Sequence, residues 1–190
     1  MESLFNALAE GFDLPILDWI AENLHCAFLD TIMVPITYLG EAGILWILAA
    51  LILLIIPKYR RTGLAMAISL IVGLVACNLV MKPLFARIRP YDYQWLHFAK
   101  DIPLLIPAQH DYSFPSGHTI SSFEAATALL LGNKKIGTPA MIIACWIAFS
   151  RLYLYIHYPS DVLCSIVLGI VIGFVGRRLA NRIHIPKVLD

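Results

Sequence analysis

Apolar residues run along this chain in long blocks separated by short polar gaps. Six blocks read as membrane helices: Leu24 to Gly40, Ala42 to Ile56, Gly63 to Met81, His118 to Gly132, Ile136 to Ser150 and Pro159 to Gly176. A spanning helix takes about 20 mostly apolar residues, with about 17–25 tolerated. The three blocks of 15 residues must therefore borrow flanking positions or sit where the bilayer is thin. Ahead of the blocks, Leu4, Phe5, Leu8, Phe12, Ile16, Leu17, Ile20 and Leu24 recur at helical spacing, with Glu10, Asp18 and Glu22 set between them. That pattern predicts a helix lying in the interface over residues 1–23. The one long connection, Pro83 to Gly117, shows no period and is expected to be a loop. There is no internal repeat and no low-complexity tract. The expected fold is all-α: a single domain over residues 1–190, built as a six-helix transmembrane bundle with an N-terminal interfacial helix.

Composition agrees with this pattern. Hydrophobic residues make up 59% of the 190 and charged residues only 14%, against about 45–50% and about 25% in soluble domains. Mean hydropathy is +0.76. So much apolar surface needs lipid as its solvent, and the composition excludes a disordered or disulfide-stapled chain. A net charge of +1 gives no general attraction to nucleic acid. Cys26, Cys77, Cys145 and Cys164 lie in apolar stretches without paired spacing and read as small apolar fillers. No Lys or Arg precedes Lys58, so the basic start of a cleaved signal peptide is missing and the first segment is expected to be retained.

Six crossings would put both termini on one side. That side would hold Lys58, Arg60, Arg61, Lys134, Lys135, Arg177, Arg178, Arg182 and Lys187, which by the positive-inside bias is cytoplasmic. The other side keeps Lys82, Arg87, Arg89, Lys100 and Arg151. Three of those five fall in a constellation that can do chemistry.

Ionisable residues at the ends of membrane helices are costly, and they cluster here in three places. Lys82 to Pro90 (KPLFARIRP) closes the third block, Pro115-Ser116-Gly117-His118 opens the fourth, and Ser150 to Asp161 (SRLYLYIHYPSD) joins the fifth to the sixth. The six-span plan puts all three at one face. Three cations, two imidazoles and a carboxylate describe an anion site with acid and base capacity, and phosphate is the obvious anion. Arg gives bidentate donors to phosphate oxygens while Lys gives a point charge, so Lys82, Arg89 and Arg151 suit the charge of a transferring phosphoryl group. Ser116 stands where a helix N-cap would, and Gly117 lets backbone approach closely, so amides at that helix start would point at the same anion. His157 and Asp161, four apart, let a carboxylate bind one ring nitrogen and leave the other to attack. His118 would then donate a proton to the leaving oxygen. Position alone does not say which imidazole attacks.

Other polar residues read as structural. His25, His97, His110 and His184 are expected to be hydrogen-bonded interfacial residues, and Arg87 and Lys100 to snorkel to headgroups. Glu124 lies six residues beyond His118 and about 240° around the helix, off that residue's face. A protonated or hydrogen-bonded structural role fits it, with Asn78 as a partner, and Asp30 reads the same way. Tyr91, Tyr93, Trp95, Phe98, Tyr112 and Phe114 suit the headgroup level, as anchors or as a cover over the site. Trp46 and Trp146 are expected to pack against lipid or neighbouring helices.

K-x6-R-P at Lys82 to Pro90, P-S-G-H at Pro115 to His118 and S-R-x5-H-x3-D at Ser150 to Asp161 resemble the three-part signature of the type 2 phosphatidic acid phosphatase (PAP2) superfamily, in order and at its spacings. The resemblance runs from the third block to the sixth; the first 60 residues add nothing to it. It implies that His157 forms a phosphohistidine, that Asp161 orients it, and that His118 serves as general acid and then base. Lys82, Arg89, Ser116, Gly117 and Arg151 would hold the phosphoryl group, with no metal and no cofactor. No cluster of carboxylates near the motifs resembles a magnesium or two-metal site.

The resemblance implies an integral-membrane lipid phosphatase of the bacterial kind, its partners being the bilayer and a lipid phosphate. A site on the outer or periplasmic face of the plasma membrane suits undecaprenyl diphosphate, the carrier released by cell-wall polymerisation. Phosphatidylglycerophosphate or phosphatidate is the runner-up. A lipid phosphotransferase is a second class and a headgroup-binding transporter a third, although the paired interrupted helices of transporters are missing. The vanadium haloperoxidases share the motif set on a soluble fold, which this composition makes remote. Oligomeric state is not legible in the chain.

Overall fold

A computed structural model describes residues 2–184, and over them all regular structure is helical, with no strand. Three short elements come first: α1 (Glu2–Leu8), a π turn (Ala9–Asp13) and α2 (Leu14–Asn23). Then follow α3 (Ala27–Leu39), α4 (Ile44–Ile55) and α5 (Arg60–Leu74), the last continued by a π segment (Val75–Met81) into α6 (Lys82–Phe85). After α7 (Pro90–Phe98) and an irregular stretch come α8 (Gly117–Gly132), α9 (Lys134–Tyr153) and α10 (Pro159–Arg182). Local chemistry sets several boundaries. Gly132 and Asn133 break α8 from α9, where the Asn133 side chain accepts the Lys135 N–H at 2.9 Å. Pro159 opens α10 at its first turn, where a missing N–H costs nothing.

All six apolar blocks are helical, but they do not make six passes. The helical run Pro57–Phe98, α9 and α10 are each long and apolar enough to cross a bilayer, and Ala27–Leu39 with Glu41–Ile55 make one more span, bent by 43°. Contacts along that pair show that it travels in one direction. At its start His25 stacks on Tyr153 with ring centroids 4.3 Å apart. Further on, Thr37 receives a hydrogen bond from Arg151, and Gly40 lies against His118 and Ile147. Trp46 then donates to Ser122 at 3.0 Å, and Ala50 and Leu54 pack on Gly63 near the far end. At about 1.5 Å per residue neither helix alone would cross about 30 Å of hydrocarbon. The bend falls at Ala42 and Gly43, which have φ of 48° and 67°. The left-handed region suits Gly43 and strains Ala42.

Over the described residues the elements that run between the two ends of the bundle are therefore α3 with α4, α5, α8, α9 and α10. This corrects the expectation of six spans with both termini on one side: residues 2–23 sit at the end that holds Tyr153 and His157, while Arg182 lies at the other, where Arg61 donates to the Ala180 carbonyl. In the N-terminal segment Leu14, Leu17 and Ile20 are buried against Tyr91, Tyr93 and the turn from Tyr153 to Tyr158, whereas Leu4, Phe12 and Trp19 stay exposed. The connection after Lys82 is also more ordered than its lack of period suggested, since Pro90–Phe98 is helical with Tyr91 and Tyr93 buried.

At the centre is α8, whose Ala125, Ala126 and Ala128 are fully covered. It packs against α5, α9 and α10. Small residues on α10 make this possible, because a Cβ at Gly169 would lie 2.8 Å from that of Phe123, and one at Gly173 would lie 2.6 Å from that of Thr127 and 2.7 Å from the Glu124 carbonyl oxygen. With lipid outside, such close approach supplies the packing that a hydrophobic drive supplies in water. Leu163, Val167, Val171 and Phe174 on α10 and Leu48, Leu51, Ile52 and Ile55 on α4 form the exposed apolar exterior. Gly173→Leu should cost about 1–3 kcal/mol through overpacking and lower the melting midpoint in detergent. Gly11→Ala, with nothing within 4 Å of the added carbon, should leave that midpoint unchanged.

Candidate active site

The three motif segments meet at one end of the bundle. Lys82 stands where α5 and its π segment end, and Arg89 directly precedes α7. Gly117 and His118 form the first turn of α8, Arg151 lies in the last turn of α9, and His157 lies in the turn before α10. All six line a single cavity of about 380 Å³. Asp161 is buried behind His157, on the first turn of α10.

Each cation is held differently. Arg89 donates through Nη1 to the Ile156 carbonyl at 2.7 Å and through Nε to the Asp111 carbonyl at 2.9 Å, and its Nη2 pairs with the Asp111 carboxylate. Lys82 pairs with the other oxygen of that carboxylate. Arg151, 1% exposed, donates to Thr37 Oγ1 at 2.6 Å, and its Nε has no partner among the described residues. A buried N–H on a cation costs free energy until an acceptor arrives, so Arg151 marks the place where an anion is wanted.

His157 is oriented from both sides. Its Nε2 lies 3.3 Å from Arg89 Nη1, which can only donate, so Nε2 carries the lone pair and Nδ1 the proton. Nδ1 faces Ser113 Oγ at 3.4 Å and Asp161 Oδ2 at 3.6 Å, and the Ser113 hydroxyl donates to Asp161. The expected direct His157 to Asp161 hydrogen bond is therefore replaced by a chain through Ser113, a residue the motif reading did not include. Burial, then the charges of Arg89, Arg151 and Lys82, push the His157 pKa well below its ordinary 6.5. The ring is neutral at neutral pH, with its free nitrogen facing the cations.

His118 packs against Gly40, and its Nε2 lies 3.4 Å from a Glu41 oxygen without a hydrogen bond between them. Ser116 departs from expectation. It precedes α8 but its side chain caps nothing; its N–H goes to Ser165 Oγ at 2.9 Å and its hydroxyl accepts from Thr119 at 3.0 Å. It does not line the cavity, whereas Gly117 does. Glu124 does line it, together with Asn78 and Gly73, because the cavity continues downward between α4, α5 and α8. The expected Asn78 partner is not engaged, and Glu124 Oε2 has no partner among the described residues. A Cβ at Gly73 would lie 1.9 Å from that oxygen.

Arg87 is the clearest correction. Rather than snorkelling, it is 4% exposed. Nη1 pairs with Asp161 and donates to Ser160 Oγ at 2.8 Å, and Nη2 pairs with Asp13 at 2.7 Å. Its guanidinium also lies 3.7 Å from the Tyr158 ring centroid. Lys100, likewise expected at headgroups, pairs with Asp18 at 2.9 Å. Asp30 accepts from the Tyr153 hydroxyl at 2.6 Å, as a structural role requires. Of the loop aromatics Tyr91, Tyr93 and Phe114 are buried, while Trp95, Phe98 and Tyr112 are exposed. Asp111 was legible only as an acid between two motif blocks, and Ser113 only as a hydroxyl three residues before Ser116. Among the described residues no group of three or more His, Cys, Asp or Glu is placed to hold a metal ion.

Likeness to known proteins agrees with this geometry. The sequence profile of the PAP2 superfamily matches residues 44–184. The undecaprenyl-diphosphatase BcrC of Bacillus subtilis is 36% identical over 157 residues, 83% of this chain and 78% of that one. An undecaprenyl-diphosphatase of Sulfolobus acidocaldarius is 32% identical over 179 residues, 94% of this chain and 83% of that one. The crystal structure of Aquifex aeolicus LpxE superposes with a TM-score of 0.69 at 27% identity, covering 87% of this chain and 94% of that one. The transmembrane PAP2-type phosphatidylglycerolphosphate phosphatase of Bacillus subtilis shares the fold at a TM-score of 0.70 and 23% identity, covering 97% of this chain and 89% of that one. A cavity where three cations and two imidazoles converge is what a phosphatase of this kind needs, and with most of its length matched the chain belongs to the PAP2 superfamily, as one of its membrane lipid phosphatases.

Proposed function

We propose that the protein hydrolyses a lipid diphosphate at the outer face of the plasma membrane through a phosphohistidine, and that undecaprenyl diphosphate is its substrate. The observation that carries the mechanism is the orientation of His157, with Nδ1 toward Ser113 and Asp161 and the lone pair of Nε2 beside Arg89. Nε2 attacks the terminal phosphorus in line, an N–P bond forms, and the P–O bond to the lipid phosphate breaks. His118 gives its proton to the departing oxygen. It then takes one from the water that attacks the phosphohistidine, which releases inorganic phosphate and restores His157. Lys82, Arg89, Arg151 and the Gly117 backbone hold the phosphoryl oxygens. Ser116 supports that turn through Ser165 and Thr119.

The diphosphate substrate is favoured by the two relatives named undecaprenyl-diphosphatases. The face is favoured by charge: the end opposite the cavity carries Lys58, Arg60, Arg61, Lys134, Lys135, Arg177, Arg178 and Arg182, which belongs in the cytoplasm. The N-terminal segment, without a single Lys or Arg, then lies outside, with Leu4, Phe12 and Trp19 in the interface beside the site.

His157→Ala should abolish phosphate release from undecaprenyl diphosphate in mixed micelles. Equal or faster release from phosphatidylglycerophosphate or phosphatidate by the parent protein would move the assignment to those lipids. A phosphorylated acceptor without inorganic phosphate would make it a phosphotransferase. Because His157 must be neutral to attack and its pKa is depressed, the acid limb of kcat/KM should lie below pH 6.5, activity falling only as pH drops through the lowered value. An acid limb above pH 6.5 contradicts this assignment.

Asp111 supplies a further test. Burial raises its pKa, but Lys82 and Arg89 outweigh this and hold it below the usual carboxylate range, so it is ionised at working pH. It sits where substrate oxygens would bind, and Asp111→Asn should let inorganic phosphate inhibit at a several-fold lower concentration. Weaker inhibition would show that the carboxylate helps to build the phosphate seat.

A further inference from the structure

The family match begins at residue 44, yet a side chain from well before it reaches the catalytic group. Asp13, in the π turn between α1 and α2, is fully buried. One of its oxygens accepts the Ser160 N–H at 2.8 Å; the other accepts the Ser160 hydroxyl at 2.7 Å and pairs with Arg87 Nη2 at 2.7 Å. The other arm of Arg87 pairs with Asp161. Asp161 in turn accepts from Ser113, whose hydroxyl faces His157 Nδ1. A continuous chain of buried polar contacts thus runs Asp13, Arg87, Asp161, Ser113, His157.

We infer that Asp13 is a positioning residue for the phosphoryl transfer, through which the N-terminal segment completes the active site. This rests on the phosphohistidine reading above. A buried ion pair could serve stability alone, but here one guanidinium is shared by two carboxylates. With Asp13 ionised, the three groups together carry one negative charge. When Nε2 bonds to phosphorus, the ring of His157 becomes cationic while Nδ1 keeps its proton, and that net negative charge stabilises it through Ser113. Without the Asp13 charge, Arg87 neutralises Asp161 and the stabilisation is lost. Asp13 also holds Ser160, one residue before Asp161, so its loss frees the turn that aims the carboxylate.

The groups facing His157 from the packed elements define what else can move its titration. Arg89 and Asp111 come from the long connection, Lys82 from the start of α6, His118 from α8, Arg151 from α9 and Asp161 from α10. None of these touches Asp13. A change on substituting Asp13 is therefore transmitted through Arg87 and Ser160.

The test uses the full chain in detergent, with release of phosphate from undecaprenyl diphosphate as the readout. Asp13→Asn keeps the shape and removes the charge. It should lower kcat by about tenfold or more and leave KM within about twofold, since Lys82, Arg89 and Arg151 are untouched. It should also move the acid limb of kcat/KM to lower pH, because losing a negative charge disfavours the protonated ring. Ser160→Ala, a gentler change, should lower kcat in the same sense by a smaller factor. If Asp13→Asn does not fold, the Ser160→Ala profile decides. A variant that melts earlier but keeps the parent kcat and pH profile in its folded fraction makes Asp13 an anchor only and overturns the inference, as does a raised KM with unchanged kcat. Turnover surviving in His157→Ala would sink the phosphohistidine reading itself, whichever way Asp13→Asn behaves.

Discussion

A charge removed from water has to be matched by another, and at one end of this bundle that requirement decides how the chain turns. Arg87, Arg89, Arg151, Asp13 and Asp161 are all nearly inaccessible to solvent. Leaving any of them unmatched would cost several kcal/mol. The matching therefore dictates the local path: the turn after α6 brings Arg87 between Asp13 and Asp161, and the turn after α9 presents the Ile156 carbonyl to Arg89. Arg151 alone is short of acceptors, with Thr37 on one nitrogen and nothing on Nε among the described residues. The network is thus satisfied except at the wall of its cavity, where an anion would supply Arg151 with the acceptor it lacks.

The second requirement is depth. The centre of the bundle is α8, and its first turn meets the chain at the level of Gly40 and Ile147 rather than at the tip of α9. Ile147 lies six residues before Tyr153, so His118 is recessed about 9 Å along that helix. Close packing by Gly169 and Gly173 holds α8 in place, and the bent pass through α3 and α4 supplies the Gly40 surface on which His118 rests. The same bend places Thr37 beneath Arg151. One irregular pass thus supports both the candidate acid and the third cation.

Much of this was legible in the chain, and the limits have physical causes. The apolar blocks gave the helices, and the spacing of Lys82, Arg89, His118, Arg151 and His157 gave the cavity wall, with Asp161 behind it, because motif spacing reports chemistry that helix ends must present together. Pass count was not legible: hydropathy cannot distinguish two short helices that each cross from two that cross jointly, and only contacts of His25 and Gly63 with opposite ends of the bundle decide it. Arg87 was misread because a cation near a span end looks the same in sequence whether it reaches headgroups or two buried carboxylates. Its partner Asp13 lies 74 residues away. Asp111 and Ser113 were missed for a related reason: they act on motif residues from an irregular stretch where no period marks a face.

The five-pass course also changes the meaning of charge along the whole molecule. With residues 2–23 at the cavity end, every acidic residue described except Glu124 lies in segments at that end, while the opposite end carries Lys and Arg almost alone. Lys and Arg resist translocation far more than Asp and Glu do, so an acidic N-terminal segment without basic residues can cross where a basic one could not. The cavity end is then negative overall, yet Lys82, Arg89 and Arg151 converge on the cavity beside Glu41, Asp111 and Glu124, while Glu10, Asp18, Glu22 and Asp101 lie outside it. Acidic residues around and within the recess weaken its pull on distant free phosphate, because screened charges act over about 8 Å, while a group that reaches Arg151, Arg89 and Lys82 meets those cations at short range. A lipid phosphate delivered by lateral diffusion at the membrane surface needs no long-range attraction. The charge pattern therefore suits a substrate that arrives through the membrane and a soluble phosphate product that leaves into water.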